Sequence, residues 1–257
     1  MGYIRRQDPD HRARVHKRPD DRNLSQGNNM DFGGEKIMSA PIQNNWLDQL
    51  IAELSGFWKN QEDQERIAEV VQALAKNYNL ERKITREPEV EDIIEQMAGR
   101  LANAYPSLSD VQCKRILDIA CGSNSSKLPA SFFLSSLFNG RSVRANRGFT
   151  ALFEPWFCRI LFELNATPVG VDFGDLESEV FVHYKVDLGI PGALDFLPDH
   201  SFDGIQDSRL FGSPEFTAEF PSQAERIKVG QEIVRQERRL LKMDGIIIHS
   251  DAMQWVK

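Results

Sequence analysis

The sequence predicts an α/β fold in which a parallel sheet, covered by helices on both faces, follows an N-terminal helical region. Between residues 45 and 101, apolar side chains recur at three- and four-residue steps, which is the period of an amphipathic helix. After Pro106, five short apolar runs alternate with helical stretches, as expected when helices connect parallel strands. The length of 257 residues, of which 41% are hydrophobic, suits one large domain with a helical addition.

The composition excludes several classes of partner. The formal net charge of -7 gives the chain no general attraction to phosphate backbones, so a nucleic-acid partner is not favoured. No segment approaches the roughly 18 uncharged apolar residues of a membrane-spanning helix, and the N-terminus lacks the apolar core of a secretory signal. We therefore expect a cytoplasmic protein without a membrane partner. Cys113, Cys121 and Cys158 lack paired spacing, which predicts reduced thiols and no metal site.

Three regions are predicted along the chain. Residues 1–44 have almost no clustered apolar side chains, which predicts a disordered tail. Residues 45–108 form the helical region and residues 109–257 the sheet domain. Three stripes of apolar residues along the predicted helices are most simply packing faces. The alternative is that these helices form a lid over a pocket. The stripes comprise Trp46, Leu47, Leu50, Ile51, Leu54, Phe57 and Trp58, then Ile67, Val70, Val71 and Leu74, then Ile93, Ile94, Met97 and Leu101.

The elements of the sheet domain follow from its apolar runs. The last helix opens at Ser222 with Glu225 three residues later, which is the pattern of a capping box. The predicted strands span residues 115–120, 168–171, 181–186, 202–206 and 246–249, and the predicted helices span residues 151–164 and 222–242.

Carboxylates and small residues follow the ends of these strands. The segment RILDIACGSNSS, residues 115–126, runs from a strand into a small-residue turn. The segments PVGVDFG and FVHYKVDLG end the second and third strands at Asp172 and Asp187. LPDHSFDGI and LLKMDGIIIHSD lead into the fourth and fifth strands. Because the carboxyl ends of parallel strands meet at one edge of the sheet, the acids should converge on a ligand crevice.

This ordered set of segments resembles the class I S-adenosylmethionine-dependent methyltransferases over roughly residues 110–251. The resemblance implies a Rossmann-like sheet and S-adenosylmethionine as the cofactor. The residues that it implies for cofactor binding are Asp118, Ala120 and Gly122 along the methionine part, Asp172 at the ribose hydroxyls and Asp187 at the adenine amino group.

Nicotinamide binding is the nearest competing interpretation. Its fingerprint requires G-x-G-x-x-G and an acid about 20 residues further on. This chain has Gly122 alone in the turn, and Asp172 follows Asp118 by 54 residues (172 − 118 = 54). The distance is also long for a methyltransferase, which predicts an insertion at about residues 126–153. We expect this insertion to shape the substrate entrance.

Catalysis is less constrained by the sequence. Methyl transfer is an in-line displacement, so alignment and desolvation can supply most of the effect. Asp207, after the fourth strand, and His249, at the end of the fifth, are the candidates for a general base. A structural histidine is the alternative for His249. The N/D-P-P-Y/F loop typical of amino-group methylation of bases and glutamine is absent from the sequence.

The chain stops at Lys257, whereas the family normally continues through a final antiparallel strand pair. We expect the open sheet edge to be covered by the N-terminal helices, by another copy in a homo-oligomer, or by missing sequence. The first hypothesis is an enzyme that methylates a small molecule or a protein. The alternatives are a catalytically inactive cofactor-binding interaction protein and, more distantly, a nicotinamide-dependent oxidoreductase.

Overall fold

The computed structural model describes residues 45–78, 93–123, 154–174, 176–207, 210–211 and 214–256. Two predictions therefore lie outside the described residues: the disordered tail at residues 1–44 and the insertion at residues 126–153.

Five strands form one parallel sheet. They are β1 (Arg115–Ile119), β2 (Thr167–Asp172), β3 (Val182–Lys185), β4 (Phe202–Asp207) and β5 (Leu241–Ser250). The strand order is β3-β2-β1-β4-β5, so β1 is central and the direction of winding reverses between β1 and β4. Ligands of open α/β sheets bind at such a reversal, outside the carboxyl ends of the strands. The predicted Rossmann-like parallel sheet is confirmed.

The helices of the described ranges surround this sheet. No helix among them is both long enough and apolar enough to cross a bilayer. They are α1 (Asn45–Ser55), α2 (Gln61–Asn77), a π-helix (Glu95–Leu101), α3 (Ala102–Ala104), a 3-10 helix (Leu108–Val111), α4 (Trp156–Glu163), α5 (Pro214–Glu219), α6 (Gln223–Leu240) and α7 (Asp251–Trp255).

Two apolar cores lie on opposite faces of the sheet. Successive side chains of a strand point to opposite faces, and β1 contributes Ile116 to one core and Leu117 to the other. The first core contains α1, α2, the π-helix and α4, and the second contains α6 and α7. Helices therefore cover both faces, as predicted. The N-terminal stripes are packing faces, because residues such as Leu54 and Ile67 are fully buried in the first core.

The first stripe is shorter than predicted. Helix α1 ends at Ser55, so Phe57 lies beyond it and is 51% exposed instead of sharing the apolar face. Trp58 is buried as predicted, although it too lies outside the helix.

A buried carboxylate connects α2 to the segment before β1 through hydrogen bonds. Asn60 caps α2 by accepting a hydrogen bond from the Asp63 backbone N–H at 2.7 Å. The Asp63 carboxylate in turn accepts from the Ser107 hydroxyl at 2.9 Å and from the Leu108 N–H at 2.8 Å. These bonds hold α2 against the end of the helical region, just before the segment that leads into β1.

The boundary between α6 and β5 differs from the prediction. The capping box at the start of α6 is confirmed, with Ser222 and Glu225 bonded reciprocally. The helix ends at Leu240, not at residue 242, because Leu241 already pairs with Phe202 of β4. Strand β5 is consequently ten residues long and has two register shifts against β4, whereas the prediction covered only residues 246–249.

Candidate functional site

The chain leaves β1 through a tight turn. Ala120 has a φ of 59° and Gly122 a φ of 95°, both in the left-handed region. This conformation costs an alanine roughly 1 kcal/mol, whereas glycine adopts it readily. The Cys121 N–H donates to the Val171 carbonyl at 3.2 Å, which holds the turn against β2. The small residues after β1 thus bring the backbone to the point where the winding of the sheet reverses.

Asp172, the last residue of β2, connects this turn to the loop after its own strand. Its Oδ2 accepts a hydrogen bond from the Gly122 N–H at 2.9 Å, and its Oδ1 accepts one from the Gly174 N–H at 2.7 Å. Burial raises the pKa of Asp172, and the two amide donors oppose that rise. Two of the predicted cofactor residues, Gly122 and Asp172, are therefore in direct contact.

Asp187 lies on the other side of β2, two residues after the end of β3. The side chain is exposed, and its Oδ1 accepts from the Gly189 N–H at 3.0 Å in a local turn. The neighbouring Val186 N–H donates to the Asp172 carbonyl at 2.8 Å. The third predicted acid is thus at the same edge of the sheet and open to solvent.

Asp118 has a different environment from the other acids of the site. It is fully buried, on the same face of β1 as Ile116. The Gln206 Nε2 donates to its Oδ1 at 3.0 Å, and the Cys158 thiol lies 3.7 Å from its Oδ2. Burial raises the pKa of Asp118 to about 7, against the effect of the Gln206 bond and of the Arg100 charge. Asp118 therefore faces the N-terminal helices, not the open edge.

The π-helix completes a buried polar cluster that the sequence analysis missed. Gln96 and Arg100 are each 4% exposed, and Gln206 Nε2 lies 3.4 Å from Gln96 Oε1. π-Helical turns occur frequently at functional sites. The available signal was the presence of polar residues at positions 96 and 100 within an apolar helical stripe. The cluster joins Asp118 to the helical region through side chains from three separate elements.

Asp207 ends β4 and is also fully buried. Its carboxylate accepts hydrogen bonds from the Ser250 hydroxyl at 2.9 Å, from the Ala252 N–H at 2.9 Å and from the Asp251 N–H. Burial raises its pKa, which these donors partly offset. In this arrangement, Asp207 holds the start of α7 against the sheet. Its prediction as a general base stays untested.

His249 lies on the neighbouring strand, where it pairs in register with Gln206. Its side chain is 28% exposed, and its Nε2 lies 2.9 Å from Asp251 Oδ1. Asp207 and His249 are therefore at the same end of adjacent strands but use different partners. Of the two candidates for proton transfer, only His249 reaches the surface.

All three cysteines are free thiols, and two of them, one in the turn after β1 and one in α4, share a buried cluster. Cys121 and Cys158 are buried, and burial raises the pKa of both thiols. Within the described ranges, no group of three or more His, Cys, Asp or Glu residues is placed to hold a metal ion.

The described acids of the site fall into two sets. Asp172 and Asp187 lie at the carboxyl edge, where a ligand of an open α/β sheet binds. Asp118 and Asp207 point into the interior on opposite faces of the sheet. Comparison of the chain with family models, curated proteins and solved structures finds no match.

Proposed function

We propose that the protein binds S-adenosylmethionine and transfers its methyl group to a small molecule or a protein. The observation that carries the proposal is the 2.9 Å bond from the Gly122 N–H to the Asp172 carboxylate. It joins the small-residue turn after β1 to the acid at the end of β2, which are the two features that we expect to contact the cofactor. Both lie at the reversal of the sheet.

The acids at the edge fit the donors of this cofactor. Each oxygen of Asp172 accepts one backbone N–H, and a carboxylate oxygen has two lone pairs, so each retains an acceptor position for a ribose hydroxyl. Asp187 is exposed and uses Oδ1 for its local turn. Negative charge at this edge also suits a ligand with a sulfonium and an ammonium group. Asp118 does not fit a direct contact, because it is fully buried.

The cofactor, when bound, supplies an electrophilic methyl group. The chain has to orient the acceptor and exclude water, which supplies much of the effect in a displacement of this kind. His249 is the residue that we propose to accept a proton from the acceptor, since it is partly exposed and its ring is held by Asp251. Asp207, with three donors on its carboxylate, positions the segment that follows β5.

A cofactor-binding protein without transferase activity is the second candidate. The observation that favours it is the complete burial of Asp207, which removes one of the two predicted bases from the surface. Activity, not binding, distinguishes this candidate from the first.

Calorimetric titration of the full chain with S-adenosylhomocysteine and with NAD tests both candidates. We expect heat with the first ligand only. No heat with S-adenosylhomocysteine would remove both candidates, and heat with NAD alone would favour the oxidoreductase alternative. Asp172→Ala should weaken S-adenosylhomocysteine binding about tenfold to several-hundredfold, because two charge-assisted hydrogen bonds are lost. Glu177→Ala, an exposed acid after the same strand, is the control and should bind as the parent does.

Turnover of a panel of metabolites and proteins then separates enzyme from binder. His249→Gln should reduce methyl transfer while leaving the affinity for S-adenosylhomocysteine unchanged. Equal turnover by His249→Gln and the parent would show that this histidine is structural.

A further inference from the structure

Two buried carboxyl groups lie close together beneath α7. Asp207, at the end of β4, is fully buried, and Glu237, in the last turn of α6, is 1% exposed. The Ser250 hydroxyl oxygen lies 2.9 Å from Asp207 Oδ2 and 3.1 Å from Glu237 Oε2. Two buried carboxylates so close together repel each other unless one of them carries a proton. The pair is therefore a position where the protein holds a proton.

The hydrogen bonds indicate which carboxyl group carries it. The Ser250 hydroxyl has one hydrogen and can donate to only one of the two acids. Asp207 is the better acceptor in its charged form, since its carboxylate also accepts from two backbone N–H groups at the start of α7. The Ser250 oxygen accepts from the Met253 N–H at 3.1 Å, which leaves one lone pair. The contact between Ser250 and Glu237 then requires a hydrogen on Glu237.

Most of the charges around Glu237 also favour its protonated form. Asp207 faces it from β4, and Asp251 adds negative charge beside Asp207 at the start of α7. The opposing charge is that of Arg238, which is exposed on the same helix as Glu237. Burial, followed by the charge of Asp207, raises the pKa of Glu237 to about 8. Glu237 Oε1 has no hydrogen-bond partner among the described residues, so a negative charge on this carboxyl group would be costly.

We propose that a proton on Glu237 stabilises the packing of α7 against the end of the sheet. When this proton passes to water at alkaline pH, α7 is released. Ionised Glu237 would compete with Asp207 for the single hydrogen of Ser250, which is also the N-cap of α7. Repulsion between ionised Glu237 and Asp207 would draw Asp207 away from the N–H groups of Asp251 and Ala252 at the start of α7. The release of α7 frees Trp255, whose ring stacks on Phe211 at a centroid distance of 5.5 Å. All of these contacts lie within the chain, and none of them involves the proposed cofactor.

Hydrogen exchange of the α7 amides in the full chain, followed from about pH 6 to about pH 10, tests the proposal. After correction for the intrinsic exchange rate, protection in the parent should fall by about tenfold per pH unit from about pH 6 to about pH 8 and be constant above it, because Glu237 has its ordinary pKa of 4.5 when α7 is released and its proton is lost on release over this range. Glu237→Gln keeps a donor to Ser250 and cannot ionise, so its protection should not change with pH. Glu232→Gln removes a charge from the same helix and should retain the parental profile.

Protection of α7 that is independent of pH in the parent would overturn the proposal. A decrease in Glu237→Gln equal to that of the parent would overturn it as well. If Glu237→Gln does not fold, infrared spectroscopy of Asp118→Asn provides the decision, because the replacement removes the signal of a second described acid whose pKa burial raises to about 7. A protonated-carboxyl band that is present near pH 7 and lost by about pH 10 supports the proposal, and the absence of such a band refutes it.

Discussion

Asp118→Asn should make the protein more stable at alkaline pH. The carboxyl group of Asp118 is fully buried, and burial raises its pKa from the ordinary value of 3.8 to about 7. A carboxyl group whose pKa is higher in the folded state binds its proton more tightly there. Its contribution to stability is therefore fully present below about pH 4 and is lost as the pH rises to about 7. The difference corresponds to about 4 kcal/mol at most, of which about 3 kcal/mol falls between pH 5 and pH 8.

Asparagine has nearly the same shape and stays neutral over this range. Its carbonyl oxygen can still accept the bond that Gln206 Nε2 makes with Asp118 Oδ1 at 3.0 Å. We expect the free energy of unfolding of Asp118→Asn, relative to the parent, to increase by about 3 kcal/mol between pH 5 and pH 8. Urea denaturation at a series of pH values measures this difference, and any titration of Glu237 cancels in it.

Asp187→Asn is the matched control, because it makes the same replacement at a carboxylate that is exposed instead of buried. Its free energy of unfolding relative to the parent should stay constant over the same pH range. A constant difference for Asp118→Asn as well would refute the reasoning, since it would mean that Asp118 is either solvated or ionised throughout.

Three further predictions concern stability. Gly170→Ala should lower the free energy of unfolding by about 1–3 kcal/mol in urea denaturation, because the added Cβ would lie 2.8 Å from Cys121 Sγ in a packed core; an unchanged midpoint would show that the core has room. Ser222→Ala should lower the free energy of unfolding by about 1 kcal/mol, because the α6 cap is lost. Unfolding followed by the circular dichroism of the helices measures this difference. Removal of residues 1–37, so that the chain starts at Met38, should change the melting temperature by only a few degrees in calorimetry, and a large decrease would show that this segment packs on the domain.

The positions of β1, β2 and β4 could be predicted because each is a short and mostly buried run. The start of α6 was predictable for a local reason, since the capping box needs only Ser222 and Glu225. The end of α6 was not predictable from the sequence. Leu241 belongs to a strand instead of the helix because it pairs with Phe202, which is 39 residues away in the sequence (241 − 202 = 39). A local pattern therefore predicts a boundary where both partners are close in the sequence, as at the start of α6, but not the shared boundary of α6 and β5, which depends on pairing with β4.

The candidate site was predictable only in part for the same reason. That Asp172 lies at the end of its strand follows from the sequence, but its contact with Gly122 depends on how the turn after β1 folds back. The burial of Asp118 follows from its position on the same face of β1 as Ile116, combined with helices packing on that face. The role of Gln96 could not be predicted, because a polar residue in an apolar stripe acquires a partner only when the π-helix meets the sheet.

The distribution of the acids determines the electrostatics of the crevice. Asp118, one residue before the end of β1, and Asp207, the last residue of β4, are both buried, on opposite faces of the sheet. One is close to half protonated at neutral pH, and the other is surrounded by three hydrogen-bond donors. Among the described acids of the site, Asp172 and Asp187 are therefore the ones that place negative charge at the carboxyl edge, on the β2 and β3 side of the reversal. Because the two sets of acids are separate, variants of the edge acids should change ligand affinity, and variants of the buried acids should change how stability depends on pH.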